Sequence, residues 1–248
     1  MEKRDEKTVV IVDFDNFFPK NMNDYSIEEV DAFFSNVVDL ILQQRPKVSF
    51  VNFRLYGGWY KGVSFTQKAS ALSSMLAYVD VFPIIIGDEK VDGTIDMIYS
   101  QYGLDDFVWY DTFREKAGLQ KFRIDRSKMG IHCASNESVC AVKILDKFVR
   151  KQKMCQNIGC TTIQQEVFVR REQKMIDTMM ACDVIALSDE KDISAMYIVS
   201  DDIDIFPSIA LCKKWNPKIE LTLIIKNNLS QPQYSSVLSN FDTKVVLL

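Results

Sequence analysis

The chain has 248 residues, 47% of them hydrophobic, which suits one large domain or a domain that carries a sizeable insertion. Its formal net charge is −4, so the whole molecule is not a polycation, and any nucleic-acid contact has to come from a local basic patch. No apolar run is long enough to span a bilayer and the N-terminus lacks a signal-peptide core, so we expect a cytoplasmic protein without membrane contact. The chain has a single histidine, His132, which excludes most histidine-based chemistry. Carboxylates are numerous, so chemistry based on carboxylates and metal ions remains open.

The N-terminal part of the chain alternates between strand-like and helix-like patterns. Ser26-Ile27-Glu28-Glu29 forms a capping-box sequence, which predicts the start of a helix that Pro46 ends. The other predicted elements here are a buried strand at 8–14, a strand at 48–56 that breaks at Gly57-Gly58, a helix at 66–78 and a strand at 81–86. This alternation predicts an α/β fold with a mostly parallel sheet flanked by helices.

Residues 88–170 lack clear periodicity and contain four of the six cysteines, so we predict a Cys-containing insertion within a single domain that covers 1–248. Regular patterns return as a helix at 171–188, a strand at 195–200, a helix at 207–215 and strands at 219–225 and 243–247. In the first of these helices, Asp177 flanks the apolar face near the start, which suits a side chain that points at the sheet's end. Asp183 falls within the apolar face, so it needs a hydrogen-bonding partner and is predicted to support the site or the structure.

Aspartates follow two of the predicted strands: Asp13 and Asp15 follow the first strand, and Asp202 and Asp204 follow the strand at 195–200. The carboxyl ends of parallel strands share one edge of a sheet, and ligands bind at that edge in folds of this class. Clustered carboxylates are costly to bury unless a cation neutralises them, so this pattern predicts a Mg²⁺ or Mn²⁺ centre. The alternative is that these acids only cap the helices that follow them.

Three ordered segments resemble the motifs of NYN domains, the PIN-like nuclease family that includes LabA-like proteins. The segments are Ile11-Val12-Asp13-Phe14-Asp15-Asn16, the stretch from Glu172 to Asp183, and Ile198-Val199-Ser200-Asp201-Asp202-Ile203-Asp204-Ile205-Phe206-Pro207. The resemblance covers about 1–86 and 171–248 and says little about the middle. It implies a Rossmann-like or PIN-like sheet and a divalent-metal-dependent ribonuclease that uses Mg²⁺ or Mn²⁺.

The resemblance also implies roles for individual residues. The metal-binding and catalytic acids are Asp13, Asp177, Asp202 and Asp204, and the supporting residues are Asp15, Asn16, Lys174, Asp183 and Ser200. The implied partner is RNA, single-stranded or structured, and a homodimer or a regulatory protein partner stays open. Asp201 stands where the family usually has glycine, and this departure puts catalytic activity in question.

Two other functions remain open from the sequence. A catalytically inactive module with the same fold would bind RNA without cleaving it, and Asp201 motivates that alternative. A haloacid dehalogenase-type phosphatase also has two aspartates in the arrangement of Asp13-Phe14-Asp15 after a strand. That family expects Thr or Val where this chain has Phe17, and its later motifs are spaced differently.

Basic residues concentrate between 143 and 174, where eight lysines and arginines stand against three acids, a net charge of +5. This segment favours contact with phosphates, or else forms a solvated surface of the insertion. The predicted RNA-binding residues are Arg150, Lys151, Arg170 and Arg171 here, with Arg54 and Lys61 beside Gly57-Gly58, where neighbouring aromatics offer base stacking.

The segment from Cys155 to Cys160 resembles half of a zinc ribbon. Cys133 and Cys140 are candidates for the other half, with His132 as a substitute ligand. Four such ligands suit a structural Zn²⁺ that stabilises a poorly packed insertion. The alternative is four unrelated reduced thiols.

Overall fold

The structure, a computed structural model, describes residues 7–104, 106–117, 124–130, 140–149, 154–155, 157–226 and 238–248. Its strands are β1 (Lys7–Asp13), β2 (Phe50–Tyr56), β3 (Tyr60–Lys61), β4 (Ser64–Phe65), β5 (Ile84–Ile86), β6 (Glu89–Met97), β7 (Phe113–Ala117), β8 (Val169–Gln173), β9 (Ile193–Val199), β10 (Glu220–Ile225) and β11 (Thr243–Leu247). Its helices are Phe14–Phe17, Ile27–Gln44, Gln67–Leu76, Ala141–Lys147, Gln164–Val167, Ile176–Leu187 and Phe206–Trp215, with 3₁₀ turns at Met22–Asp24, Arg126–Lys128 and Ile203–Ile205.

The central sheet has seven strands in the order β11-β10-β9-β1-β2-β6-β5, and every neighbouring pair except β5–β6 is parallel. The chain builds outward from β1 through β2 to β6, and then returns to the other side of β1 to add β9, β10 and β11. The order therefore reverses between β1 and β9, and this topological switch point is where α/β sheets usually bind ligands. The α/β prediction is confirmed, and the architecture is consistent with a Rossmann-like or PIN-like fold.

Strand β1 is buried on both faces, as expected for the centre of a parallel sheet. Its alternating side chains enter two separate cores, with Val10 and Val12 on one side and Val9 and Ile11 on the other. Helix Ile27–Gln44 packs into the first core, and helix Ile176–Leu187 packs into the second. Helices thus cover both faces of the sheet and leave its carboxyl edge for the acids.

The predicted capping box is confirmed. The Ser26 hydroxyl accepts a hydrogen bond from the Glu29 amide over 3.1 Å, and the Glu29 carboxylate accepts one from the Ser26 amide over 2.8 Å. This reciprocal pair satisfies two backbone donors at the helix start. The helix ends at Gln44, two residues before Pro46.

Two elements differ from the sequence-based prediction. The strand predicted at 81–86 is shorter and covers Ile84–Ile86. The chain then turns at Gly87 (φ +61°), and this strand pairs antiparallel with β6. The helix predicted from 171 begins at Ile176, because residues 169–173 extend as β8 and pair with β7. The polar sequence Val-Arg-Arg-Glu-Gln of β8 has little hydrophobic alternation to mark it as a strand.

The chain separates into two compact units, one formed by Met1–Phe113 with Gln173–Leu248 and the other by Arg114–Glu172. The insertion expected to start at 88 thus starts later in the structure, because residues 89–97 form β6 of the central sheet. Within its described residues, the second unit contains two short helices and an antiparallel bridge between Met154 and Ile163. No helix in the described ranges has the length and apolar character needed to cross a membrane.

Candidate functional site

Asp13 lies at the carboxyl end of β1, where the chain turns into helix Phe14–Phe17. Its carboxylate is only 6% exposed and accepts hydrogen bonds from the amide and the side chain of Asn16, each over 3.3 Å. Burial, with a smaller contribution from the charge of Asp177, raises the pKa of Asp13 to about 6, although the hydrogen bonds from Asn16 and Ser200 oppose the shift. Asp13 therefore caps a helix and also holds costly negative charge at the sheet's edge.

Ser200 connects the ends of the two central strands. Its hydroxyl donates to Asp13 Oδ2 over 3.1 Å and accepts from the Asp202 amide over 3.0 Å. The side chain is buried, and the Ser200 amide donates to the Ile224 carbonyl of β10 over 3.1 Å. The segment after β9 is therefore fixed directly beside Asp13.

Asp177, Asp202 and Asp204 share one electrostatic environment. Asp177 occupies the first turn of helix Ile176–Leu187, where the helix dipole favours a negative side chain. Burial raises its pKa, and the charges of Asp202 and Asp204 raise it further. Asp202 caps the 3₁₀ turn by accepting from the Asp204 amide over 3.0 Å. The four acids predicted from sequence thus influence one another, although they come from three separate parts of the chain.

The chemistry of these donors suits a hard divalent cation, because Mg²⁺ and Mn²⁺ prefer carboxylate oxygens. Burial and, to a smaller extent, neighbouring acids raise the pKa values of Asp13 and Asp177, so a cation would stabilise the ionised forms of both. The positions of these side chains do not by themselves form a metal site. Within the described ranges, no group of three or more His, Cys, Asp or Glu side chains is arranged to hold a metal ion. Donor chemistry and mutual charge therefore favour a cation here, whereas a three-ligand geometry is not formed among the described residues.

Asp15 has a different environment from Asp13. Its carboxylate accepts hydrogen bonds from the Gly58 amide over 2.7 Å and from the Gln173 side chain, and it pairs with Lys68 Nζ over 2.5 Å. These contacts tie the loop after β2 and the end of β8 to the segment that bears Asp13. The structure thus places Asp15 in a supporting position.

Lys68 was not identified from the sequence. It also donates to the Phe18 carbonyl and lies 5.5 Å from the centre of the Phe14 ring. A signal was present in the sequence, because Lys68 falls in the first turn of a helix, where the dipole disfavours a cation.

Asp201, the departure from the NYN pattern, accepts a hydrogen bond from the Lys226 amide over 2.7 Å. Lys226 Nζ in turn donates to the Phe17 carbonyl over 2.6 Å and lies 5.2 Å from the centre of the Phe17 ring. The Asp201 carboxylate thus contacts the end of β10. Lys226 is a second supporting cation that sequence reasoning missed.

Arg54 was predicted to bind RNA, and the structure gives it another partner. Its guanidinium lies 2.7 Å from Asp183 Oδ2 and is largely shielded from solvent. Asp183 is fully buried and also accepts from the Tyr56 hydroxyl and from the Tyr102 amide, the latter over 2.8 Å. The contacts with Tyr56 and Asp183 outweigh the effect of burial, and the pKa of Arg54 is raised. Arg54 therefore neutralises a buried acid, because the apolar face of helix Ile176–Leu187 offers Asp183 no water.

Lys61 and Lys174 occupy positions near the edge of the sheet. Lys61 is exposed on the β3–β4 hairpin. The Lys174 amide donates to the Thr112 carbonyl over 2.8 Å, and the following residue, Met175, has a φ of +68°. Such a positive φ is strained for a residue with a side chain, and it turns the chain immediately before Asp177.

The remaining basic candidates belong to the second unit or fall outside the described residues. Arg170 and Arg171 are exposed on β8, where Arg170 pairs with Glu172 at 3.4 Å and Arg171 with Glu115 at 3.7 Å. Such exposed pairs contribute little stability, so a phosphate group could replace the carboxylate partner of either arginine at little cost in free energy. Arg150 and Lys151 lie outside the described residues.

Cys155 and Cys160 flank a tight turn, in which the Cys160 amide donates to the Asn157 carbonyl over 2.9 Å and Gly159 has a φ of +81°. The Cys160 thiol donates to the Thr162 hydroxyl over 3.2 Å, and its hydrogen bonds with Thr162 and, more weakly, with Cys155 lower its pKa. Cys140 precedes helix Ala141–Lys147, whereas Cys133 and His132 lie outside the described residues. A structural zinc stays a prediction, which elemental analysis of protein purified without a chelator tests.

The site therefore consists of Asp13, Ser200 and Asp202 at the switch point, with Asp177 and Asp204 within electrostatic reach. No family model, curated protein or solved structure matches the chain.

Proposed function

We propose that the protein is a divalent-metal-dependent ribonuclease of the NYN, PIN-like type, which acts on RNA in the cytoplasm. One observation carries the proposal: Asp13 and Asp202 follow neighbouring parallel strands at the topological switch point, and Ser200 links them through two hydrogen bonds. Helix capping alone does not require two capping acids to be joined in this way. The free thiols of Cys155, Cys160, Cys182 and Cys212 suit a reducing compartment.

The distribution of charge supports a cationic ligand at this edge. Asp13 has a pKa of about 6, so its carboxylate is ionised at neutral pH although it is buried. Asp177 feels the negative charges of Asp202 and Asp204. A bound Mg²⁺ or Mn²⁺ would supply Lewis-acid chemistry for hydrolysis of a phosphodiester bond. The residues that would hold it are Asp13, Asp177, Asp202 and Asp204.

The chain's own contribution is to orient these acids. Asn16 and Ser200 donate to the Asp13 carboxylate and fix its direction, and Ser200 also positions the Asp202 backbone. The Lys68 and Gly58 contacts of Asp15 hold the adjoining helix in place. Because the proposed chemistry needs no protein nucleophile, it suits a chain with one histidine.

A second candidate is an RNA-binding module with the same fold and no catalytic activity. It is favoured by the finding that the described residues form no three-ligand metal group. A haloacid dehalogenase-type phosphatase is less well supported. In this chain the second aspartate of that pattern, Asp15, is already held by Lys68, Gly58 and Gln173.

The test is incubation of the purified protein with labelled single-stranded and structured RNA in Mg²⁺, Mn²⁺ or EDTA. We expect cleavage with metal and none with EDTA, and loss of cleavage in Asp13→Asn and Asp202→Asn variants that remain folded. Asp192→Asn is a matched control, because Asp192 is an exposed aspartate that pairs with Lys7. Full activity of the Asp13→Asn/Asp202→Asn double variant would refute the proposal, and metal-independent binding without cleavage would support the inactive module.

A further inference from the structure

Four aromatic side chains form a partly exposed cluster around the β3–β4 hairpin. The centre of the Tyr60 ring lies 4.9 Å from that of Phe65, 5.0 Å from that of Tyr110 and 5.7 Å from that of Tyr99. Phe65 is 42% exposed and Tyr110 is 48% exposed, so both present ring surface to solvent. We call Tyr60, Phe65, Tyr99 and Tyr110 the aromatic patch. Neither hydrophobic core of the described residues includes Phe65 or Tyr110, so packing into a core does not account for these two aromatic side chains.

Hydrogen bonds connect the hairpin that bears the aromatic patch to Asp15 and Lys174. At the base of the hairpin, the Gly58 amide donates to Asp15, and the Thr66 hydroxyl donates to the Gly58 carbonyl over 3.1 Å. The Tyr60 amide donates to the Thr112 hydroxyl over 3.0 Å, and the Thr112 carbonyl accepts from the Lys174 amide. The patch is thus anchored to Asp15 and Lys174, which neighbour Asp13 and Asp177 in sequence.

The rings of the patch are suited to a polyanionic ligand. Tyrosine phenols are neutral at physiological pH because their ordinary pKa is about 10, and partial burial raises the pKa of Tyr60 and that of Tyr99 still higher, so neither ring repels phosphate. Shortly after Tyr110, the chain enters the unit Arg114–Glu172. That unit has 13 lysines and arginines against 6 acids, a net charge of +7, whereas the rest of the chain has 17 against 28, a net charge of −11. The basic charge of the protein therefore follows the patch in sequence.

We propose that the aromatic patch stacks the unpaired bases of single-stranded RNA and so selects single strands for the acidic site. This inference rests on the proposed function, because it names the substrate class of that site. Aromatic rings bind unpaired bases through stacking with little regard to sequence, because every base has a π-face. A duplex keeps its bases stacked internally, so it offers no free base faces to Phe65 and Tyr110.

The test is fluorescence anisotropy of a labelled single-stranded RNA in EDTA, where metal-dependent cleavage does not occur. We expect Phe65→Ala and Tyr110→Ala each to weaken binding by roughly 5- to 100-fold, the usual effect of losing one base–aromatic contact. Phe65→Trp and Tyr110→Phe keep an aromatic ring and are expected to retain affinity. Tyr78→Ala is the matched control, because Tyr78 is 73% exposed and lies outside the patch.

Two further ligands make the test specific. A duplex of the same length and an abasic strand of the same charge should bind more weakly, and the alanine variants should not weaken them further. Wild-type affinity of Phe65→Ala and Tyr110→Ala for the single strand, equal losses for all three ligands, or no RNA binding by the wild-type protein would each overturn the inference.

The outcome is distinguishable from that of the proposed function. If the variants lose affinity for the single strand but metal restores no cleavage, the patch is a base-stacking surface on an inactive module. If RNA is cleaved with metal while the alanine variants bind normally, the nuclease proposal stands and the aromatic patch has no role in selecting the strand.

Discussion

The hydroxyl of Ser200 lies 3.1 Å from Asp13 Oδ2, and the two residues follow neighbouring parallel strands although 187 positions separate them in sequence. The same hydroxyl accepts a hydrogen bond from the Asp202 amide. One small side chain therefore fixes the relative positions of two predicted catalytic acids. Because Asp13 and Ser200 are both buried, water does not readily replace this contact.

Ser200→Ala should lower the free energy of unfolding by about 1–3 kcal/mol, because it removes a buried donor from the Asp13 carboxylate and an acceptor from the Asp202 amide. Urea denaturation at neutral pH measures this change. Ser74→Ala provides the control, since Ser74 is exposed on a helix and its loss should cost less than about 0.5 kcal/mol. Equal stabilities of the two variants would contradict the role assigned to Ser200.

Asp13→Asn should stabilise the protein at neutral pH. The folded-state pKa of about 6 exceeds the ordinary value of 3.8, so the folded protein binds the Asp13 proton more tightly than the unfolded chain. The resulting stabilisation is fully present below pH 3.8 and is lost as pH rises through about 6. At pH 7 the ionised, buried carboxylate costs up to about 3 kcal/mol, which asparagine avoids.

The measurement is the difference in free energy of unfolding between wild type and Asp13→Asn from pH 4 to pH 7, without divalent metal. The difference should grow as pH rises. Asp192→Asn should show little change over this range, because Lys7 lowers the pKa of Asp192 below its ordinary value of 3.8 and the stabilisation is lost only at lower pH. A difference for Asp13→Asn that does not change with pH would show that Asp13 is not a strained, buried acid.

Asp183→Ala should destabilise the protein by about 3–5 kcal/mol, because it leaves the Arg54 guanidinium as an unpaired, largely buried charge. Chemical denaturation measures the loss. Asp192→Ala breaks the exposed pair with Lys7 and should cost only about 0–1 kcal/mol. A loss of less than about 1 kcal/mol in Asp183→Ala would show that Asp183 does not hold Arg54, and Arg54 would again be a candidate for RNA binding.

Asp201→Gly restores the residue usual in the NYN pattern and should leave the rate of RNA cleavage unchanged. The reason is that the Asp201 carboxylate contacts the Lys226 amide, so its removal costs about 1 kcal/mol of stability without altering the other acids. Initial rates at saturating Mn²⁺, together with thermal unfolding, separate the two effects. A large increase in rate would mean that Asp201 inhibits the site.

The sequence was most informative where a residue's role follows from its local pattern. The apolar run ending at Asp13, the capping box at Ser26 and the last strand at 243–247 all appear as predicted. Such features depend on hydrophobic periodicity and on hydrogen bonds between residues close in sequence. The position of the acids at one sheet edge followed from the parallel topology.

Other features depend on contacts between distant residues, which a local pattern does not encode. Nothing near Arg54 indicates that its partner is Asp183, and nothing near Asp201 indicates that it contacts Lys226. The role of Lys68 likewise depends on Asp15 from another element. The start of the second unit was predicted too early because the exposed strand β6 alternates weakly in hydrophobicity.

The central claim is that Asp13, Asp177, Asp202 and Asp204 together bind a divalent cation. Isothermal titration calorimetry with Mn²⁺ tests it most directly, with wild type, Asp13→Asn/Asp202→Asn and the control Asp192→Asn measured side by side. We predict saturable binding to wild type and to the control, and its loss in the double variant. Absence of binding to wild type, or unchanged binding to the double variant, would contradict the claim.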